Sequence, residues 1–447
     1  MTDQLTISNA SLLDEEDAIR VYVVSLGCPK NRVDTERLLA GLPGRAILVE
    51  NPSQADLALI NTCGFIGPAV EESVRTILET AEACAETSDP PVLAVAGCLV
   101  SRYGEELAEQ MPEVDAWLST DELDTWPELA ARALGIDPRT DMPDRVHTTA
   151  PSYAYLKIGE GCRHACRFCA IPSIRGRLRS DPDDAILREA ARLTRMNISE
   201  LILVAQDLTA HGQDRGDPNG LLKLLEKLLE QGGMERLRML YLYPKGVGND
   251  LLDFIRDAGS PLLPYFDIPL QHAHPDILKA MGRPFTGDPR HVLNRVRSRM
   301  PHAAIRTTFI VGYPGETDIH FKSLCDFVRE ARLDHVGVFP YYPEEGTAAA
   351  TMEDQVPEAV KEERRQHLME IQEEISREKL TVWQDQTVDV LVDEQHPEWP
   401  ELYIGRTWFQ APDIDGVTYI SGPKVEPGKM VSAQIIETKS FDLVALT

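Results

Sequence analysis

The chain has 447 residues, of which 43% are hydrophobic and 26% charged, a composition typical of a globular protein with two or three domains. It contains no apolar run long enough to cross a bilayer, its first twenty residues are polar and acidic, and its eight cysteines are few for a disulfide framework. These features exclude a membrane protein and a disulfide-stapled secreted domain, and they predict a cytoplasmic location.

The formal net charge is −27, which opposes binding to nucleic acid because phosphate groups need basic side chains around them. An acidic surface attracts basic partners instead, so the charge favours a basic macromolecular substrate. The alternative is that the acidity serves only solubility or is shared by the whole proteome of the organism.

Three apolar runs in the first third of the chain each lead into a cysteine. The runs are predicted strands, and helical sequence such as 68–86 lies between them, so they are expected to form a parallel sheet that is buried on both faces. Ligands of such sheets bind at the carboxyl ends of the strands. The runs and their cysteines are 21–26 with Cys28, 56–60 with Cys63, and 91–96 with Cys98.

These three cysteines are 35 positions apart each time and are predicted to converge on one metal centre. Free cysteine behaves as a small hydrophobe, so three ordinary buried cysteines are the alternative. The same placement at three strand ends favours ligation, with a three-cysteine iron–sulfur cluster as the occupant. Cys84 and Cys325 lie inside helical sequence and are expected to pack in the core.

The segment 161–169, Gly-Cys-Arg-His-Ala-Cys-Arg-Phe-Cys, brings three cysteines into a single loop. A structural zinc site closes four tetrahedral positions, usually with two separate cysteine pairs. The sequence has no second pair. His164 offers a fourth ligand on paper, but a histidine two residues from each flanking cysteine is expected to be solvated or to support the site. A 4Fe–4S cluster on Cys162, Cys166 and Cys169 leaves one iron without a protein ligand, and that iron is free to bind a substrate.

The spacing of these cysteines, with Phe168 before the last one, closely resembles the loop of the radical S-adenosylmethionine (SAM) superfamily. The resemblance implies that the open iron binds the methionine part of SAM and that reductive cleavage releases a 5'-deoxyadenosyl radical. It also makes Phe168 a candidate for contact with SAM.

Six alternations of strand and helix around and after this loop predict an open, partial version of the eight-stranded α/β barrel, with the cluster loop after the first strand. Gln206 ends the second strand, and Gly312 and Glu316 lie in the turn after the fifth, so all three are candidate SAM contacts, although a plain turn explains the last two as well. Arg175 is a candidate partner of the SAM carboxylate or else a surface arginine, and His272 is a candidate proton donor or acceptor or else a structural histidine. The predicted strands are 153–158, 201–205, 237–242, 265–268, 305–311 and 335–339.

Over essentially its whole length the chain resembles the methylthiotransferases, which are radical SAM enzymes. The resemblance is carried by the SAM loop and by Ser-Leu-Gly-Cys-Pro-Lys-Asn at 25–31, Asn-Thr-Cys-Gly-Phe at 61–65 and Gly-Cys-Leu at 97–99. It implies one 4Fe–4S cluster on Cys162, Cys166 and Cys169 that cleaves SAM. It implies a second cluster on Cys28, Cys63 and Cys98 that holds a sulfur atom, and two SAM molecules per turnover. An electron donor such as flavodoxin or ferredoxin and a sulfur donor are further implied partners.

The family divides by substrate. One branch (MiaB type) modifies an adenosine of tRNA, and the other (RimO type) modifies the β carbon of an aspartate in small-subunit ribosomal protein twelve. The segments 204–207, 240–244 and 263–273 resemble the ribosomal-protein branch, which implies a basic ribosomal protein as substrate, free or on the ribosome, and no direct binding of nucleic acid. The alternatives are tRNA methylthiolation and, more distantly, a non-catalytic iron–sulfur carrier or a ribosome-binding module.

Five short predicted strands follow the charged helical sequence 357–379 and indicate a small, nearly closed barrel similar to the TRAM domain of this family. Such barrels usually bind RNA, but 381–447 carries eleven Asp and Glu against four Lys and Arg, a balance of −7 that suits a basic protein surface better. A passive cap is the alternative. The predicted divisions are a flexible acidic tail at 1–18, an N-terminal α/β methylthiotransferase domain at 19–140, a radical SAM domain at 148–378 and a TRAM domain at 379–447.

Overall fold

The computed structural model describes residues 18–138, 145–283 and 287–447. The predicted tail at 1–18 lies outside the described residues except for Ala18. The described residues form two compact units. The N-terminal unit runs to Thr149 and also contains Ala170–Arg177, and the C-terminal unit contains Ala150–Cys169 and Leu178–Thr447.

The N-terminal unit is built on a five-stranded parallel sheet with strand order β2-β1-β3-β4-β5. Apolar side chains pack against both faces of this sheet, as the continuous apolar runs predict, because helices cover each face. The strands are β1 (Ala18–Ser25), β2 (Arg45–Val49), β3 (Leu57–Thr62), β4 (Val92–Gly97) and β5 (Ala116–Ser119). The helices are α1 (Pro29–Gly41), α2 (Gly67–Ala85), α3 (Cys98–Gln110), α4 (Trp126–Ala133) and the short α5 (Ile171–Ile174).

The C-terminal unit begins with six parallel barrel strands in two three-stranded sheets, ordered β10-β9-β6 and β11-β12-β13. A bridge between Leu237 and Leu262 joins the two sheets, so the predicted open, partial barrel is confirmed. Its strands are β6 (Tyr153–Lys157), β9 (Glu200–Val204), β10 (Arg236–Met239), β11 (Tyr265–Asp267), β12 (Ala304–Val311) and β13 (His335–Pro340), and a two-residue ladder joins β7 (Gly159–Glu160) to β8 (Arg179–Ser180).

Helices alternate with these strands and pack their apolar faces onto them, forming one core. No helix in the described parts of the chain is both long enough and apolar enough to span a membrane. The helices are α6 (Asp183–Arg195), α7 (Gly220–Gln231), α8 (Asn249–Ala258), α9 (Pro275–Ala280), α10 (Arg290–Arg299), α11 (Asp318–Ala331) and α12 (Glu358–Leu380).

The last part of the C-terminal unit is a closed five-stranded barrel with order β14-β15-β16-β18-β17, which confirms the prediction of a small barrel. A buried ion pair joins it to the partial barrel, since Arg406 contacts Glu200 of β9 at 2.9 Å. Within the small barrel, Arg406 also pairs with Asp393 at 2.7 Å. The strands are β14 (Thr387–Gln395), β15 (Tyr403–Arg406), β16 (Thr418–Ser421), β17 (Met430–Thr438) and β18 (Leu443–Leu446).

Candidate metal centres

The three cysteines of the N-terminal unit lie at the carboxyl ends of adjacent strands. Cys28 follows β1 and caps α1, Cys63 follows β3, and Cys98 follows β4 as the first residue of α3. In the order β1-β3-β4 these strands are direct neighbours, so the predicted convergence of the three thiols follows from the sheet itself.

Glycines allow the three strand ends to come close together. Gly27 has φ +91°, and a Cβ there would lie 2.9 Å from Cys63 Cβ and 3.3 Å from its sulfur. A Cβ on Gly64 would lie 2.7 Å from the carbonyl oxygen of Cys98. A side chain at either glycine would therefore push the cysteines apart.

Asn31, a buried residue of α1, holds these strand ends together. Its Nδ2 donates to the carbonyl oxygens of Leu26 at 3.0 Å and Thr62 at 2.9 Å. Its Oδ1 lies 3.7 Å from the sulfur of Cys28 and 3.9 Å from the sulfur of Cys98. One amide thus fixes two strand ends and faces two of the three thiols.

Arg175 reaches the same place from the segment Ala170–Arg177. Its Nε donates to Cys98 Sγ at 3.2 Å, its Nη1 pairs with Asp34 at 2.8 Å, and its Nη2 donates to Asn31 Oδ1 at 2.5 Å. Sequence reasoning assigned Arg175 to the SAM carboxylate or to the surface, whereas the guanidinium is buried beside the N-terminal cysteines. Its partners in α1 and α3 are distant in sequence, which is why no local pattern indicated them.

The electrostatic surroundings of the three thiols differ. Burial raises the pKa of the Cys63 thiol to about 12 and also raises the pKa of Cys98, which the Arg175 cation partly offsets. Burial acts on Cys28 in the same direction, but the Lys30 and Arg175 cations outweigh it and lower the pKa of that thiol. Of the three cysteines, Cys28 alone has its thiolate favoured before a metal binds. The N-termini of α1 and α3 add positive potential here, which offsets part of the cost of burying the other two as thiolates.

The second cysteine triplet lies in the loop after β6 and β7, in the C-terminal unit, as predicted from its place after the first barrel strand. The backbone N–H of Arg167 donates to the carbonyl oxygen of Met281 at 2.9 Å, and Ala349 N–H donates to the carbonyl oxygen of Arg167 at 2.9 Å. Gly282 lies so close that a Cβ would be 3.1 Å from the carbonyl oxygen of Ala165. The loop is therefore held from two sides.

His164 is a supporting residue in this loop. Its Nε2 lies 2.8 Å from Asp207 Oδ2, and its ring stacks on Tyr243 with 3.8 Å between centroids. The guanidinium of Arg283 lies over the Tyr243 ring, 4.4 Å from its centroid. The Nη1 of Arg283 also donates to Cys166 Sγ at 3.6 Å. Sequence reasoning treated His164 as solvated or supporting and missed Arg283, which lies 117 positions after Cys166.

Buried polar atoms beside the loop offer sites for a polar ligand. Gln206 donates to Glu160, the residue two positions before Cys162. Among the described residues, none donates to Gln206 Oε1 or bonds the Tyr243 hydroxyl, although both atoms are buried. Unbonded buried polar atoms are costly, so these two atoms are suited to bind a polar ligand such as SAM.

The other predicted SAM contacts have partners within the protein. Phe168 packs on the apolar cluster that includes Ile277, Tyr313 and Tyr341. Glu316 is buried, accepts from the backbone N–H of Gly312 at 3.0 Å and pairs with Arg364 at 2.8 Å. These residues shape the loops at the strand ends.

Gly312 and His272 are likewise part of the scaffold at these strand ends. Gly312 has φ +70°, and a Cβ there would lie 2.3 Å from Lys361 Cγ, so close packing on α12 requires this glycine. His272 is fully buried, its Nδ1 accepts from His274 N–H at 2.9 Å, and its Nε2 lies 3.5 Å from Glu316. Burial lowers the pKa of His272, as expected for a structural histidine.

The spread of the sulfur atoms distinguishes a cluster from a single metal ion. In the described parts of the chain, the one group of three ligand atoms within 4.8 Å of each other is His274, Asp276 and His320, where both histidines already accept backbone N–H groups at Nδ1. Neither cysteine triplet is that compact, whereas a tetrahedral zinc ion would hold sulfurs about 3.8 Å apart. In a 4Fe–4S cluster each thiolate binds a different iron, so three spread thiols fit the cluster better.

Comparison with known proteins divides the chain into three matched regions. Residues 20–119 match the uncharacterized protein family UPF0004, residues 156–328 match the radical SAM superfamily, and residues 386–447 match the TRAM domain. The first match holds all three N-terminal cysteines, and the second holds the cysteine loop.

Curated relatives match over nearly the full length. The chain is 58% identical over 429 residues to the ribosomal protein uS12 methylthiotransferase RimO of Nitratidesulfovibrio vulgaris, covering 96% of this chain and all of the relative. It is 56% identical over 430 residues to the protein of the same name from Oleidesulfovibrio alaskensis, again covering 96% of this chain and all of the relative. Among solved structures, the radical SAM methyltransferase TsrM from Kitasatospora setae matches with a TM-score of 0.52 and 14% identity over 74% of this chain and 77% of that chain, a similarity of fold alone.

Proposed function

The chain belongs to the RimO family of ribosomal protein uS12 methylthiotransferases, and from this premise we propose that it transfers a methylthio group to the β carbon of an aspartate in uS12. The reaction joins two tasks, since an unactivated carbon must lose a hydrogen atom and a methylated sulfur must be delivered to it. Each task has its own cysteine triplet in this chain.

Two 4Fe–4S clusters would supply this chemistry, one with SAM for hydrogen abstraction and one for the sulfur. Cys162, Cys166 and Cys169 would hold the first, and Cys28, Cys63 and Cys98 would hold the second. The protein contributes ligation, orientation and exclusion of water.

The residues around the cysteine loop fit the binding of SAM. The loop is fixed through Met281 and Ala349, and His164 is held between Asp207 and the Tyr243 ring. Gln206 Oε1 and the Tyr243 hydroxyl are the buried polar atoms that we assign to SAM. Arg283 places a positive charge beside Cys166, which favours a negatively charged cluster.

The main support for the proposal is that the chain has two groups of three thiols and aligns with these relatives over 96% of its length. Three protein ligands for each cluster leave one iron open, which both tasks require. The net charge of −27 suits a basic ribosomal protein as the substrate. A cytoplasmic location, an electron donor such as flavodoxin or ferredoxin, and a separate sulfur donor complete the proposal.

Mass spectrometry on two substrates tests the proposal. The reconstituted, reduced enzyme is supplied with SAM and sulfide and offered uS12 and unmodified tRNA in parallel. A methylthio mass gain on an aspartate of uS12 alone is the expected result, and gain on tRNA alone would assign the chain to the other substrate. The Cys84→Ala variant is the matched control, because Cys84 is a buried thiol of α2 outside both triplets and its loss should leave the mass gain in place.

A further inference from the structure

Arg175 is a buried cation in direct contact with a thiol of the N-terminal triplet. Its side chain and that of Asp34 are each 1% exposed, so solvent screens their charges weakly. Of the three nitrogen atoms, Nε contacts Cys98 Sγ, while Nη1 and Nη2 are held by Asp34 and Asn31. The arginine therefore turns a fixed N–H toward the sulfur, and the carboxylate holds the guanidinium on its far side.

The contact of Arg175 with Asn31 also favours negative charge on the thiols. The Asn31 oxygen that accepts from Nη2 also faces the sulfurs of Cys28 and Cys98 at 3.7 and 3.9 Å. Donation from the arginine occupies this oxygen and reduces its repulsion of two bound thiolates. Both contacts stabilise the site more strongly as the negative charge on the thiolates and on a bound cluster increases.

We propose that Arg175, positioned by Asp34, raises the reduction potential of the cluster on Cys28, Cys63 and Cys98. This inference rests on the proposed function, which places a cluster there. Hydrogen bonds to cluster sulfurs and net charge set the potential of iron–sulfur centres. Reduction adds one negative charge, so a buried cation with its N–H on Cys98 stabilises the reduced cluster, whereas the Asp34 carboxylate has the opposite effect from a greater distance.

A redox titration of charge variants tests the proposal. The parent is the full-length chain with Cys162, Cys166 and Cys169 replaced by Ala, so that the N-terminal cluster alone gives a paramagnetic resonance signal. Arg175→Gln removes the cation, and the ratio of reduced to oxidised cluster at a fixed potential should fall about tenfold, a shift of about 59 mV to lower potential for one electron. Asp34→Asn removes the opposing charge and should shift the potential upward.

The opposite signs separate an electrostatic role from a structural one. An unchanged potential in Arg175→Gln, or shifts of the same sign in both variants, would overturn the proposal, because general loosening of the site does not depend on the sign of the deleted charge. Arg102→Gln is the matched control. Arg102 is half-buried and donates to a backbone oxygen, that of Gly64 at 2.9 Å, rather than to a sulfur. Its loss should therefore shift the potential less than loss of Arg175.

If Arg175→Gln binds too little cluster for a redox titration, the iron content of the two variants is compared instead. Loss of the arginine leaves the Asp34 carboxylate facing a negatively charged cluster, whereas loss of the carboxylate leaves a cation there. Asp34→Asn should therefore retain more iron than Arg175→Gln, and equal losses would overturn the proposal. A parent chain that binds no iron would instead refute the cluster itself, and with it the proposed function.

Discussion

Each cysteine triplet has one buried arginine that donates to one of its sulfurs. Arg175 lies 3.2 Å from Cys98 Sγ, and Arg283 lies 3.6 Å from Cys166 Sγ. Both guanidinium groups are also bound by other partners, Asp34 in the first case and the carbonyl oxygen of Pro269 in the second. A fixed cation beside a thiolate in a buried site stabilises the charged form without reorganisation when a cluster binds.

The two triplets are expected to fail in different ways when one cysteine is removed. Cys162→Ala should abolish formation of 5'-deoxyadenosine, because the cluster proposed to cleave SAM would lose a ligand. Cys98→Ala should leave SAM cleavage in place while methylthiolation stops. Chromatography of the nucleoside product and mass spectrometry of uS12 measure both effects in one reaction.

Cys325→Ala is the control for this pair. Cys325 is a buried thiol of α11 that is 3% exposed, and its replacement should change neither product, although it costs about 1 kcal/mol of stability through lost packing. Formation of 5'-deoxyadenosine by Cys162→Ala, or methylthiolation by Cys98→Ala, would contradict the assignment of the two triplets.

The grouping of the cysteines into two triplets was predicted from sequence, and their contacts with arginines were not. Spacing within one loop identified Cys162, Cys166 and Cys169, and repetition at three strand ends identified the other triplet, because both patterns are local or periodic. Arg175 meets Cys98 across 77 positions of chain, and Arg283 meets Cys166 across 117. Contacts of that kind depend on tertiary packing and leave no periodic signal.

At the scale of elements, the turn after β12 is fixed by α12. Gly312 lies against the buried side chain of Lys361, and Glu316 binds Arg364 one turn further along the same helix. The sequence Gly-Tyr-Pro-Gly-Glu at 312–316 suggested a cofactor wall or a plain turn, and neither interpretation indicated its contact with α12, although helical sequence was predicted at 357–379. Strands and helices themselves were close to their predicted bounds, since period and apolar runs are properties of the local sequence.

Gly312→Ala should destabilise the protein more than the same substitution at the neighbouring Gly315. The new Cβ would lie 2.3 Å from Lys361 Cγ in addition to the left-handed strain at φ +70°. Strain costs about 1 kcal/mol and overpacking a further 1–3 kcal/mol, so the expected loss is roughly 2–4 kcal/mol. Urea unfolding of the apo-protein measures it.

Gly315→Ala separates the two costs. Gly315 has φ +81°, and nothing lies within 4 Å of a Cβ built there, so only the backbone strain of about 1 kcal/mol is expected. Equal losses for the two variants would show that contact with Lys361 does not constrain the turn.

At the scale of the whole molecule, a buried charge network joins the partial barrel to the TRAM barrel in the C-terminal unit. Glu200 at the start of β9 binds Arg238 at 2.6 Å and Arg406 at 2.9 Å, and all three side chains are at most 1% exposed. Glu200 and Arg406 are 206 positions apart, so the sequence predicted two domains without indicating how they are joined. Burial by itself would raise the pKa of Glu200, but the neighbouring cations outweigh it and lower the pKa to about 2.

This network should make stability depend on pH in acid. The pKa of Glu200 is depressed from its usual 4.5 to about 2, so its contribution is complete above pH 4.5 and is lost as the pH falls towards 2. The shift corresponds to about 3 kcal/mol, and Glu200→Gln should be less stable than the parent by about that amount at pH 7. Urea unfolding of the apo-proteins should show this difference narrowing as the pH is lowered from 5 to 3.

Glu330→Gln is the surface control, since Glu330 pairs with Arg290 but is 63% exposed and its charge is screened. It should leave the unfolding midpoint unchanged at each pH. A constant difference between the parent and Glu200→Gln from pH 7 to pH 3 would show that Glu200 is not held ionised by its arginine partners.

Two cysteine triplets are proposed to hold one 4Fe–4S cluster each, and the iron and acid-labile sulfide content of three reconstituted chains tests this most directly. The parent should contain about eight iron atoms, and the variants with Cys28, Cys63 and Cys98 or with Cys162, Cys166 and Cys169 replaced by Ala should each contain about four. About four iron atoms in the parent, with one of the triple variants unchanged from it, would contradict the claim.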